Sequence, residues 1–217
     1  MKKSLTIRRY GIFLLGLFII SLGVALSTKA GLGSSPVTSV PYSMSLILPA
    51  LTVGNWSISL YLILIAAQWV LSKGSISKVE LLTQLAASLI FGYFVDFHMF
   101  WLQWLSLSWY PGRIFCLVLG CSVLALGISF QLMAGVAMLP PESFAKLLGE
   151  LSGKGYGSAK VRLDVTMTLI AAVLCLLLRG QLDGVREGTV IAALLVGNIA
   201  KFYGKHNRKL KALLLPE

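Results

Sequence analysis

Three long runs of apolar residues carry almost no charge: Tyr10 to Thr28, Gly54 to Ser72 and Ile114 to Pro141. No other feature of the chain restricts its fold so severely. A helix rises 1.5 Å per residue, so about 20 such residues cross the hydrocarbon core of a bilayer. In that solvent every backbone polar group must be satisfied internally, which leaves helices and closed barrels. Nineteen-residue runs without strict alternation point to helices. The rest of the composition agrees: 57% of residues are hydrophobic and only 12% are charged, with mean hydropathy +0.83. A soluble domain is excluded on that balance.

Further apolar stretches bring the expected spans to six, at about 10–28, 55–72, 80–100, 113–134, 162–178 and 187–203. The last is the shortest apolar run, bracketed by Glu187 and Lys201. The formal net charge of +11 would suggest nucleic acid in a soluble protein. Here its distribution follows the bias of cytoplasmic loops toward Lys and Arg. With the N-terminus inside and six alternating spans, fifteen basic residues fall inside. Only Lys29, Arg113, Arg179 and Arg186 fall outside. That count predicts a multi-pass membrane protein with both termini in the cytoplasm. Trp101, Trp104, Trp109 and Tyr110 form an aromatic belt at the outer level.

Two segments, about 31–53 and 135–160, do not read as clean crossings. Pro36, Pro41 and Pro49 interrupt the first; Glu142, Lys146 and Glu150 charge the second. An eight-span arrangement that uses both weakens the charge bias and ranks second.

The chain also matches itself at an offset of 104. Residues 9–39 set against 113–143 agree without a gap at nine of 31 positions. Gly16 meets Gly120, Gly23 meets Gly127, Gly31 meets Gly135, Pro36 meets Pro140 and Ser39 meets Ser143. Glycine and proline in register mark shared backbone needs. The duplication predicts a first repeat over 1–108, a second over 109–204 and a basic cytoplasmic tail over 205–217. Three spans per half give the halves opposite orientation, the plan of many secondary transporters. The expected fold is therefore all-α and polytopic: six transmembrane helices as two inverted three-helix repeats, each with a broken or re-entrant segment after its first helix. The same repeat argues against a cleaved secretory signal at residues 1–30, because the pattern recurs mid-chain.

The stretches "RRYGIFLLGLFIISLGVALSTKAGLGSSP" and "GYFVDF" resemble the YczE-like family of bacterial integral membrane proteins, over most of the chain. Gly16, Gly23, Ala30, Gly31, Gly33, Pro36 and the run from Gly92 to Asp96 carry the likeness. The resemblance implies a bacterial plasma-membrane protein and supplies no reaction. Members often carry Trp-Asp after the proline, where this chain has Val37-Thr38.

The candidate chemistry lies at the helix breaks. Gly31 and Gly33 permit unusual backbone angles, and Pro36 suits a first helical turn. Ser34 or Ser35 could cap a short helix, and Thr38 and Ser39 add hydroxyls. Such a helix start either binds an anion or is merely capped. The twin stretch has Gly135 and Pro140, then Glu142 and Ser143. A carboxylate there either satisfies the helix dipole or binds a cation or proton. Asp96, Asp164 and His98 lie near span ends, where ionisable groups are suspects. Lys160 and Arg162 offer Asp164 local charge balance. Seven-residue glycine spacing, Gly16 with Gly23 and Gly120 with Gly127, puts small residues on one helix face for close packing. Cys116, Cys121 and Cys175 form no CxxC or Cys/His cluster, so neither a disulfide framework nor a metal site is expected. "GKGYGS" at 153–158 lacks the ending of a phosphate loop. No catalytic motif and no cofactor motif appears. The expected function is a small-solute permease with its site between the two broken segments. The expected partners are the lipid bilayer and a small solute, with or without a coupling ion, and no nucleic acid. The alternatives are a non-transporting accessory protein and, third, a membrane enzyme.

Overall fold

The computed structural model describes residues 2–206. The expected basic tail falls largely beyond them. Within this range the chain is all helical, with eight helices and no strand. They are α1 (Lys2–Lys29), α2 (Pro36–Ile47), α3 (Val53–Leu71), α4 (Lys78–Trp101), α5 (Tyr110–Ala134), α6 (Pro140–Ser152), α7 (Gly155–Arg179) and α8 (Glu187–His206). Five of them, α1, α3, α4, α5 and α7, are long and apolar enough to cross a membrane. The expected sixth span corresponds to α8, whose apolar part, Glu187–Ala200, is shorter. Five such helices, rather than six, is therefore the number found. The breaks contain the two short helices α2 and α6. Much of segment 135–160 is α6, and α7 starts at Gly155, seven residues earlier than expected.

The order long, short, long, long occurs twice. Pro36 and Pro140, 104 apart, each open a short helix. A proline in the first turn loses no intrahelical bond. Gly31 and Gly135 both adopt positive φ, 67° and 59°, and end the long helix before it. Only glycine takes that left-handed turn without strain.

α1 and α5 form the central seam. Gly16 faces Gly127 and Gln131, Gly23 faces Leu124, and Gly120 faces Gly23 and Ser27. Residue numbers rise on one helix as they fall on the other, so the two run antiparallel. A Cβ on Gly120 would stand 2.7 Å from the Ser27 amide nitrogen, and one on Gly127 2.6 Å from that of Ile20. Bare glycines let the backbones touch, which is how helices associate where no water drives them together. α4 packs on α1 and α8 on α5; α2 lies against α3 and α7, and so does α6.

α2 and α6 are too short to cross: twelve or thirteen residues span roughly 18–20 Å of a hydrocarbon core about 30 Å thick. The linker before α2 meets the start of α8, and the last turn of α2 meets the end of α7. Gly33 lies against Arg186 and Thr189, and the Leu46 carbonyl accepts from Arg179 Nη1 at 2.7 Å. This is also the end with the tryptophan-rich 101–110 connection, here the aromatic end. α6 belongs to the other, lysine-rich end. Gln68 Nε2 donates to the Pro140 carbonyl at 3.4 Å, and Gly149 packs on Gly155 and Tyr156. The two short helices thus enter from opposite ends of the bundle, and both pack on α3 and α7.

Candidate functional site

At the aromatic end, the first break holds its hydroxyls inward. Ser34, Thr38 and Ser39 are buried. Ser35 occupies the N-cap position of α2, but its hydroxyl makes no capping bond. It pairs instead with Thr38 Oγ1 at 2.8 Å. Ser39 donates to the Pro36 carbonyl at 2.6 Å, and Ser34 to the Ser35 carbonyl at 3.5 Å. The expected side-chain cap is thus replaced by local back-bonding, which Ser and Thr do readily.

At the lysine-rich end, the second break carries charge. Lys160 Nζ lies 2.8 Å from Asp164 Oδ1 and 3.9 Å from Glu142 Oε1. Lys160 and Asp164 sit one turn apart on α7, so their pairing follows from helix geometry. Glu142 comes from the first turn of α6, where the dipole favours an acid. Its Oε2 is buried without a hydrogen-bond partner. Burial pushes the Glu142 carboxyl above the usual range, and the Lys160 ammonium pulls against that shift. One ammonium therefore serves two carboxylates.

Beside this triad lies a buried amide pair. Gln68 Nε2 donates to Gln84 Oε1 at 3.0 Å, and Gln84 Nε2 returns the bond at 3.1 Å. Gln84 also donates to Ser143 Oγ at 3.0 Å. The network ties α3, α4 and the start of α6 together, and Ser143 serves it as an acceptor. No sequence motif marks Gln68 as the partner of Gln84 across the α3–α4 connection.

Asp96 joins neither group. Its Oδ1 accepts from the Gly54 amide at 2.8 Å and its Oδ2 from Thr52 Oγ1 at 2.6 Å. It thus seals the start of α3, where free amides and the dipole favour a carboxylate. Gly92 and Gly54 face each other, with no room for a Cβ on either. The stretch Gly92–Asp96 therefore reads as a packing and capping device. His98 is buried on the same helix. Its Nδ1 lies 2.8 Å from the Phe94 carbonyl and 3.0 Å from Ser21 Oγ. The three cysteines are free and buried. Among the described residues no three acidic, His or Cys side chains gather as metal ligands do.

Two cavities complete the picture. One of about 480 Å³ opens at the lysine-rich end, lined by Tyr10, Glu80, Gln84, Gln131, Gly135 and Lys146, among others. The Nε2 of Gln131 is buried and unpartnered. The other, about 310 Å³, opens at the aromatic end, lined by Lys29, Gly31, Gln103, Ser106 and Arg113, among others. Gly31 and Gly135, equivalent in the repeat, each line one cavity.

Against known proteins, the chain belongs to a family of unknown function, DUF6198, whose model matches residues 7–205. It is 29% identical over 203 residues to the uncharacterized membrane protein YczE of Bacillus subtilis (strain 168), covering 93% of this chain and 87% of that one. It is 26% identical over 145 residues to the uncharacterized protein YyaS of the same organism, covering 66% and 70%. No solved structure matches. Family and relative agree with the five apolar helices: this is a membrane protein of an uncharacterised family.

Proposed function

We propose that the protein is a small-solute permease of the bacterial plasma membrane, a carrier rather than a catalyst, built from two inverted halves. One observation carries this reading. Cavities open at opposite ends of the helix bundle, and the same glycine of each repeat, Gly31 or Gly135, lines its own cavity. A packed α1–α5 seam runs beside both. Rocking of one half against the other about that seam would trade one opening for the other, as in alternating access. The antiparallel course of α1 and α5 supports the inversion. The distribution of Lys and Arg supports an N-in orientation, with the lysine-rich end in the cytoplasm. Volumes of about 310 and 480 Å³ suit a metabolite-sized solute.

Purified protein in liposomes tests the reading directly. Counterflow of at least one labelled solute from a broad metabolite panel is expected; absence of any counterflow favours the accessory-protein alternative. Single cysteines at Lys73 and Tyr110 should react with membrane-impermeant maleimide from opposite faces. Labelling from one face overturns the inversion.

A further inference from the structure

We infer that the cavity at the aromatic end is an oxyanion site, held by Lys29 and Arg113. The four basic residues that fall outside under the charge bias need a reason to be there. Two have one in plain sight: Arg179 Nη2 lies 3.2 Å from Asp183 Oδ2, and Arg186 Nη2 lies 3.2 Å from Glu187 Oε1. The remaining two, Lys29 and Arg113, have no ion-pair partner among the described residues, and both line this one cavity. No acidic residue lines it.

Local structure sharpens the point. Lys29 ends α1, where a cation suits the helix dipole. Arg113 stands near the start of α5, where it opposes the dipole and where no acidic residue occupies the first turn. The bland account therefore covers one cation and not the other. The Arg113 Nε donates to the Leu107 carbonyl at 2.7 Å. That bond orients the guanidinium plane and leaves its terminal nitrogens to a ligand. Gln103 and Ser106 add neutral hydrogen-bonding groups. Arg186 Nη1 reaches the Gly31 carbonyl at 3.2 Å, which brings a second guanidinium to the rim. Two unneutralised cations in one concave site recognise a carboxylate or phosphate, the groups whose oxygens match a guanidinium fork. That chemistry is offered by a free organic or inorganic anion and by an anionic lipid headgroup. The expected anion site thus moves from the α2 start, whose hydroxyls are spent on their own backbone, to the cavity just before it. Its role as a loading site rests on the permease reading; binding does not.

The test uses the full chain in phosphatidylcholine nanodiscs. Inorganic phosphate and succinate are titrated by calorimetry at low and high salt. Binding that weakens with salt, and weakens by at least about tenfold in Lys29→Gln/Arg113→Gln, supports a free oxyanion. Arg113→Lys keeps the charge but loses the fork, so it should bind more weakly than the wild type and more tightly than the double variant, which guards against a merely misfolded variant. If neither anion binds but phosphatidylglycerol raises the melting temperature of the wild type and not of the double variant, the headgroup is the ligand. Equal binding by the double variant, or no response to any of the three, overturns the site. Loss of counterflow with binding intact removes the permease reading and leaves the site standing.

Discussion

The two helix breaks begin alike and end differently. Each has a glycine with positive φ, a short linker and a proline that opens a short helix. Beyond that, the hydroxyls of the first break stay local: Ser35, Thr38 and Ser39 bond to one another or to the local backbone. The second reaches outward, Glu142 to Lys160 and Ser143 to Gln84. Glu142 occupies the place of Thr38 in the repeat. Matched glycines and prolines thus go with unlike polar chemistry, because the features that shape each break are glycine, proline and the seam, not the polar side chains. The second break is tied into the bundle by its polar side chains; the first is tied by its backbone carbonyls and stands beside a basic cavity.

If the seam is the shared scaffold, damage there should exceed damage at either break. Gly23→Leu would drive a side chain into the Leu124 backbone. We expect a loss of about 3 kcal/mol or more, read as a collapse of the melting temperature in detergent. Gly11→Ala on the same helix, with open space around it, should change stability little. Next comes the amide network of the second break. Gln84→Leu orphans the Gln68 amide and should cost about 1–3 kcal/mol. The Gln68→Leu/Gln84→Leu double variant should recover part of that, since both partners then leave together. A double variant no better than the single would show that Ser143 and Pro140 depend on the pair.

A smaller, pH-dependent effect is expected at Glu142. Burial raises its pKa in the folded protein above that of the unfolded chain. Stability linked to this group is therefore full below the unfolded pKa and is lost as pH rises through the folded pKa. Glu142→Gln escapes that loss, so its melting temperature should gain on the wild type as pH rises. A constant difference across pH would show that Lys160 already compensates the charge. Smallest of all is Ser35→Ala. A capping serine would cost about 1 kcal/mol. A hydroxyl bonded only to Thr38 should cost about half of that or less. A full capping penalty would show that the first break needs its serine after all.

Much of this was written in the chain. Apolar runs located the five long helices, and glycine and proline in register marked both breaks within a residue or two. What stayed hidden depends on tertiary neighbours. α7 starts at Gly155, and Lys160, assigned to a break by its charge, pairs with Asp164 one turn on along the same helix. Asp96 drew suspicion as an ionisable group near a span end, but its partner Thr52 lies 44 residues away. Nothing local shows that it seals α3. The breaks match in sequence, but that match alone does not show which end each occupies; the antiparallel course of α1 and α5 does. Lys29 and Arg113 were visible only as exceptions to a charge count until the fold put them side by side.

The glycine seam has one more consequence. Gly16 meets Gly127 while Gly120 meets Gly23, so each member of a repeat-related pair touches the partner of the other. Such reciprocity is the mark of an isologous interface, the kind that closes a symmetric dimer.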